Sequence, residues 1–213
     1  MKNFKNKVIA VTGAASGIGR ALVEGLLASG ARVAASDVDN TNLQRLRELA
    51  ATELLLLSSV DVSDQAAMQA WANEVKTHFG EVDGVINNAG VALSCHASDQ
   101  PREQMEWLFN INYWGVINGV EAFLPELMRR PEACIVNISS LFGLLSVPSQ
   151  SAYNAAKFAV RGYSESLRQD LRETSIKVVT VHPGGIQTNI ANNGRHLHSI
   201  TGNAAKVDKT AER

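Results

Sequence analysis

Tyr153 and Lys157 stand four residues apart near the start of a strongly helical stretch, so their side chains share one helix face. Val160, Ser164, Leu167 and Leu171 continue that face, which turns it toward a core rather than toward water. A lysine facing inward is expensive unless it has a partner or a task. To act as a base near neutrality a tyrosine must fall by about 3 units from its ordinary pKa of about 10, which costs about 4 kcal/mol. One ammonium about 4 Å away, at an effective dielectric of about 20, supplies an interaction of that size. The pair therefore has the magnitude needed for general acid–base chemistry. Tyr-x-x-x-Lys alone occurs by chance in many helices. Here Ile138-Ser139-Ser140 precedes it at the end of an apolar run, and the carboxyl ends of parallel strands are where α/β proteins bind ligands.

A second constellation, TGAASGIG from Thr12 to Gly19, follows the first apolar run directly. Glycine at 13 permits a tight turn, glycine at 17 lets the backbone approach a pyrophosphate, and glycine at 19 lets a helix pack close against the strand. The helix start, around Ser16, Gly17 and Ile18, offers free N–H groups and a partial positive charge to phosphates. The spacing is Gly-x-x-x-Gly-x-Gly, and no Lys-Ser/Thr follows, so it is not a P-loop. On its own this could be a glycine-rich turn without a ligand. Asp37 shifts the balance, because it ends the second apolar run eighteen residues after Gly19, where a carboxylate can accept hydrogen bonds from an adenosine ribose. A 2′-phosphate would meet repulsion there, and neither Ser16 nor Val38 supplies a compensating cation. NAD is therefore favoured over NADP.

The elements that must hold these groups are legible as an alternation. Candidate strands are Val8–Thr12, Arg32–Ser36, Leu54–Val60, Val82–Asn87, Cys134–Ser139 and Lys177–His182, near-continuously apolar as parallel strands covered on both faces should be. Helices are expected over Gly17–Ala28, over Asn42–Ala51, from Ser63-Asp64 to a stop at Gly80, and in two long runs near Arg102–Arg129 and Ser151–Glu173. Strand–helix alternation implies right-handed crossovers and a doubly wound, mostly parallel sheet in a three-layer α/β/α, Rossmann-type domain over residues 1–213. Twenty basic against twenty-one acidic residues leave a net charge of −1, so no global field attracts nucleic acid or an anionic membrane. Cys95 and Cys134 form no CxxC pair, a sparing usage that suits a reducing cytosol. Neither a signal-peptide core nor a membrane span is present, and a soluble, cytoplasmic protein is expected. The five histidines show no metal-ligand spacing, and His182, His196 and His198 read as structural or solvated.

Taken in order, TGAASGIG, Asn87-Asn88-Ala89-Gly90, Asn112-x-x-Gly115, Ser140, Tyr153-x-x-x-Lys157 and Pro183-Gly184 resemble the compact single-domain branch of the short-chain dehydrogenase/reductases over essentially residues 5 to 190. That resemblance implies Tyr153 as general acid/base, with Lys157 lowering its pKa and binding the nicotinamide ribose. Ser140, thirteen residues before the tyrosine, would hydrogen-bond the substrate oxygen in preference to Ser139. Asn112 would hold a water in a proton relay to Lys157, with Asn110 a decoy. Asn88, Ala89 and Gly90 would flank the adenine-side ribose, although a strand-ending turn is half their reading. Asp61 and Val62 would lie near the adenine, and Ile186 and Thr188, after Pro183-Gly184, would hold the carboxamide. The implied reaction moves a hydride between nicotinamide and a secondary alcohol or ketone, with no metal. A dinucleotide-binding regulator without turnover, or an inactive truncated form, is the rival. Longer-chain epimerases share Tyr-x-x-x-Lys but not this glycine spacing, and a serine hydrolase would need a Gly-x-Ser-x-Gly elbow.

Relatives of this kind usually continue with another helix and a last strand beside Lys177–His182. The polar stretch from Asn189 to Arg213 shows no strand candidate, and is expected to be a mobile substrate lid beside an open sheet edge. Ala155, Phe158, Ala159 and Gly162 lie off the core-facing stripe of their helix, which suggests pairing into a homodimer or homotetramer.

Overall fold

A computed structural model describes residues 3–186, 190 and 194–197. Six parallel strands form the central sheet: β1 (Val8–Thr12), β2 (Arg32–Asp37), β3 (Leu55–Ser59), β4 (Gly84–Asn87), β6 (Ala133–Ile138) and β7 (Ile176–Val181). Their spatial order is β3-β2-β1-β4-β6-β7, with Ala10 of β1 in register with Ala34 on one side and Val85 on the other. The order reverses between β1 and β4, and a crevice opens at the carboxyl ends on either side of such a switch point. This is the doubly wound Rossmann-type sheet expected from the strand–helix alternation.

Alternate strand residues serve opposite faces. Val8 and Ala10 pack with Trp71, Val75, Phe123 and Leu127, which come from α3 (Gln65–Phe79) and α5 (Gly115–Leu127). Ile9 and Val11 pack with Val23 and Leu26 of α1 (Gly17–Ala28) and Leu43 of α2 (Asn40–Gln44). Every residue of β1 is buried, which is why its sequence is continuously apolar. The stop and start signals of α3 act as read: the Asp64 carboxylate accepts from Ala67 N–H, and Gly80 ends the helix in the left-handed conformation at φ 81°.

Three expectations change. The helix expected over Asn42–Ala51 is α2 followed by a tighter turn over Arg45–Leu49, since the segment has only Leu43 and Leu46 to bury. The run expected over Arg102–Arg129 is two helices, α4 (Arg102–Phe109) and α5, joined by one wide π turn over Asn110–Trp114. That turn directs Asn112 inward, where its amide bonds both the N–H and the C=O of Val91 at 2.8 Å. Local widening of this kind recurs at functional sites and leaves no mark in apolar periodicity. Finally, the polar stretch after Asn189 contains a short strand, β8 (Arg195–His196), paired in parallel with β5 (Leu93–Ser94). Both β8 residues are exposed and polar, so no apolar pattern marks the strand in the sequence. The remainder of the expected lid, Asn189, residues 191–193 and residues 198–213, lies outside the described residues.

At the amino ends of the strands, opposite the crevice, Asp83 is fully buried. Its carboxylate accepts from Val8 N–H at 3.0 Å, Arg130 Nε at 2.9 Å and Lys7 Nζ at 3.2 Å. Burial pushes this carboxyl up, but the three donors outweigh it and hold the pKa below the ordinary carboxylate value. Because the folded pKa is depressed, the stabilisation is present above the unfolded carboxylate pKa near 4 and is lost as pH falls below it. Asp83→Asn should cost about 3 kcal/mol at pH 7, the usual penalty for breaking a buried ion pair, and progressively less below pH 4. Urea unfolding at pH 7 and pH 3 checks both.

Candidate active site

A cleft of about 610 Å³ runs along the carboxyl ends of the strands. Gly13, Ser16, Gly17, Ile18, Asp37, Asp61, Val62, Asn88, Ala89 and Gly90 line one half, and Ser140, Tyr153, Lys157, Pro183, Gly184 and Ile186 line the other. Of the expected residues, Gly19 and Asn112 stand behind the wall, and Thr188 lies outside the described residues.

The glycine loop is tied down at both ends. Gly13 has φ 64°, and a Cβ there would sit 2.7 Å from Ala89 Cα; at Gly19 a Cβ would sit 1.9 Å from the Gly13 carbonyl oxygen. Only glycine allows the loop to fold back on itself while touching the end of β4. Asn88 completes the lock, its side-chain amide donating to the carbonyls of Thr12 at 2.9 Å and Gly13 at 3.1 Å. The N–H groups of Asn88 and Ala89 both donate to Thr12 Oγ1 at 3.0 Å. Asn88 therefore works as a clamp on the loop as well as a wall of the cleft. Asp37 is similarly engaged, since its two carboxylate oxygens accept from Ala15 N–H and Asp39 N–H at 2.9 Å each. At the start of α1 no side chain caps the helix, which leaves backbone donors directed at the cleft.

In the other half, α6 (Ser151–Asp170) lays Tyr153, Lys157, Val160, Ser164 and Leu167 inward as one stripe. Lys157 is 3% exposed and donates from Nζ to the Ile138 carbonyl at 3.0 Å, at the very end of β6. The two serines after β6 divide the work. Ser139 Oγ donates to the Lys157 backbone carbonyl at 2.9 Å and so fastens the helix to the sheet. Ser140 faces the cleft beside Tyr153, and its hydroxyl accepts from Phe142 N–H at 3.1 Å. Asn112 spends both ends of its amide on Val91, and Gly90 sits between it and Lys157: a Cβ at Gly90 would come within 3.3 Å of Asn112 Oδ1 and 3.5 Å of Lys157 Nζ.

One feature agrees with the sequence reading and another lay outside it. His182, read as structural or solvated, donates from Nδ1 to the Ser140 carbonyl at 3.0 Å, and Leu141 N–H donates to the Pro183 carbonyl at 2.8 Å. The serine turn is thus stitched to the end of β7. Beneath it a buried chain of donors runs from Asn87 to Asn137 at 2.8 Å, from Asn137 to Ser164 at 2.9 Å, and from Ser164 to the Val160 carbonyl at 2.7 Å. Asn137, a polar residue inside an apolar strand, was the available signal for this network.

Burial sets the electrostatics of the pair. It pushes Lys157 from 10.5 down to about 8. Burial also pushes the Tyr153 phenol above its ordinary 10, and the neighbouring Ser140 only partly offsets this. Lys157 Nζ lies 5.8 Å from the tyrosine ring centroid. In the cofactor-free protein burial therefore dominates both groups, holding the phenol above its ordinary value and the ammonium below its own.

This has a consequence for stability. An unfolded lysine keeps its proton up to about 10.5 and the folded one only up to about 8, so between those values the unfolded chain binds more protons and stability rises with pH. Below pH 8 the full penalty applies, on the order of 3 kcal/mol for about 2.5 units. Lys157→Met should therefore stabilise the cofactor-free protein at pH 7 by up to that amount, with the gain vanishing toward pH 10. Denaturant midpoints measured across that range check it, and a variant less stable than the parent at every pH would contradict it.

The chain is similar in sequence and fold to known proteins. Residues 7–197 match the family model for short chain dehydrogenases. The chain is 46% identical over 197 residues to the oxidoreductase SadH of Mycobacterium tuberculosis, covering 91% of this chain and 71% of that protein. It is 34% identical over 220 residues to the dehydrogenase/reductase SDR family member 7B of Mus musculus, covering 98% and 68%. Among solved structures, a short-chain dehydrogenase/reductase from Burkholderia phymatum in complex with NAD superposes with a TM-score of 0.87 at 36% identity, covering 91% of this chain and 70% of that one. Levodione reductase gives 0.85 at 30% identity, covering 90% and 76%. The chain belongs to the short-chain dehydrogenase/reductase family of oxidoreductases.

Proposed function

We propose that this protein is an NAD(H)-dependent oxidoreductase that interconverts a secondary alcohol and a ketone, with Tyr153 as the general acid/base. The observation that carries the reading is one continuous cleft joining Asp37 and the glycine loop to Ser140 and Tyr153 over the buried Lys157. The donor set fits a dinucleotide: the α1 N-terminus would hold the pyrophosphate, Asp37 the adenosine ribose, and Asp61 and Val62 the adenine. Asn88, Ala89 and Gly90 would flank that ribose, Lys157 with Tyr153 would bind the nicotinamide ribose, and Pro183, Gly184, Ile186 and Thr188 the carboxamide. When bound, NAD accepts or gives the hydride and brings a positive charge to the Tyr153 end in its oxidised form.

The chain's own residues then have distinct tasks. Ser140, fixed by Phe142 N–H and by His182 through its carbonyl, donates to the substrate oxygen. Tyr153 takes the hydroxyl proton in oxidation and returns it in reduction. Lys157 holds its ammonium beside the tyrosine, and Asn112 fixes Val91 at the cleft wall, with any relayed water meeting its remaining lone pair. A homodimer or homotetramer in the cytoplasm completes the proposal. It is supported by the exposed Ala155, Phe158 and Gly162 on α6, by the partly exposed Ala159, and by two free cysteines, while no described helix is long and apolar enough to cross a membrane.

Two outcomes are expected. NADH should bind at least tenfold more tightly than NADPH, about 1.4 kcal/mol, and Asp37→Ala with Val38→Arg should narrow or reverse that ratio. Fluorescence titration reads it, and equal affinities in the parent protein would refute the NAD assignment. Tyr153→Phe should lower kcat by about 10²–10⁴-fold while NADH still binds, which separates lost proton transfer from lost cofactor. Near-full turnover in that variant would overturn the mechanism.

A further inference from the structure

Beyond Tyr153 the cleft changes character. Its described lining there includes Val91 and Trp107, which pack on the same apolar cluster as Tyr153, with Ile186 and Ile190, whereas the acidic lining residues Asp37, Asp39 and Asp61 all belong to the glycine-loop half. Among the described lining residues, Lys157 is the one charged group at this end, and its ammonium is committed to the Ile138 carbonyl. The rim continues the apolar surface. Ile186 and Ile190 of that lining are themselves exposed, and Leu141, Leu144 and Leu145, which follow Ser140 in the chain, are exposed as well. Exposed large apolar side chains gathered around the mouth of a cleft mark the surface a ligand covers.

Trp107 is held as a fixed wall. The Arg195 guanidinium stacks on its ring at 3.6 Å from the centroid. Arg195 Nη1 also donates to Gln104 Oε1, one helical turn back on α4, at 2.7 Å. Arg195 is in turn set by the β5–β8 pairing, in which its N–H donates to the Ala92 carbonyl at 3.0 Å and Leu197 N–H donates to the Ser94 carbonyl at 3.0 Å. Leu197 packs on the same apolar cluster as Tyr153, Leu93 and Leu108, with Trp107 and Phe142 beside it. An arginine stacked on an indole and bonded to a neighbouring amide is satisfied, so it fixes the ring rather than offering a cation to substrate.

We propose that this end of the site takes a bulky apolar ketone or secondary alcohol with no charge close to the carbonyl, and that Trp107, pinned by Arg195, is the specificity-determining wall. The proposal rests on the oxidoreductase reading above. A straight alkyl chain and an alicyclic ring share the required chemistry.

The test measures kcat/KM with NADH for methyl ketones from butanone to nonanone, for cyclohexanone, and for keto acids matched in length. Binding is followed separately, through the fluorescence of enzyme-bound NADH on titration with unreactive fatty amides of increasing length. Each methylene buried should raise kcat/KM by about two- to fourfold until the wall is reached. A keto acid should fall at least tenfold below the ketone of equal length. A steep rise along the alkyl series with poor cyclohexanone turnover identifies a chain-shaped substrate, and the converse a ring. Arg195→Ala, which frees the indole, should raise KM for nonanone severalfold with kcat and NADH affinity retained. Trp107→Ala should flatten the length dependence, and Trp107→Phe should restore part of it. Equal or better turnover of small polar or carboxylated ketones, with no dependence on length, would overturn the proposal and leave the oxidoreductase reading intact. Length-dependent binding of the amides without turnover of any ketone would support the apolar site and sink the oxidoreductase reading instead. Absence of both amide binding and ketone turnover would overturn the proposal.

Discussion

The burial of one ammonium organises this molecule. Lys157 cannot be taken out of water without an acceptor, and the acceptor is the carbonyl of Ile138, where β6 runs out of partners. That bond, with Ser139 Oγ on the Lys157 carbonyl, presses the first turns of α6 against the end of the sheet. Tyr153 and Ser140 meet because both belong to segments held there. The buried Asn87–Asn137–Ser164 chain supports the same junction from below, joining β4, β6 and α6. Removing the bonds of Ser139, Asn137 or Ser164 would leave polar atoms buried without partners, so the site and the fold share a set of constraints.

The electrostatic state that results is a waiting one. Burial favours the neutral form of both Tyr153 and Lys157, in opposite directions of pKa. A base at Tyr153 therefore needs charge compensation beyond what the pair supplies, and the dinucleotide cleft is continuous with it. In the proposed mechanism, coupling proton transfer to cofactor occupancy would follow from desolvation and need no moving part.

Much of this was legible in the residues. The apolar runs named all six central strands because both faces of a parallel sheet are covered, and the caps at Asp64 and Gly80 named their helix ends. The i, i+4 spacing of Tyr153 and Lys157 named the inward stripe of α6. The π turn at Asn110–Trp114 did not show, because a single extra residue in a helix barely disturbs apolar periodicity. β8 was invisible for the opposite reason: its two residues are polar and exposed, so no apolar pattern marks it. His182 carried no local signal, since its partner is a carbonyl forty-two residues away in the chain. Spacing shows the ammonium beside the phenol but not how completely both groups leave water, and in the cofactor-free protein burial keeps the Tyr153 pKa above its ordinary value.

Ionisation of the Tyr153 phenol, followed by NMR of protein carrying ring-carbon-labelled tyrosine across a pH series with and without NAD, tests this picture most directly. The result expected is a phenol that titrates above its ordinary value near 10 in the cofactor-free protein and moves down toward neutrality when NAD binds. A phenol already ionising near neutral pH without NAD, or one that NAD leaves unmoved, would contradict it.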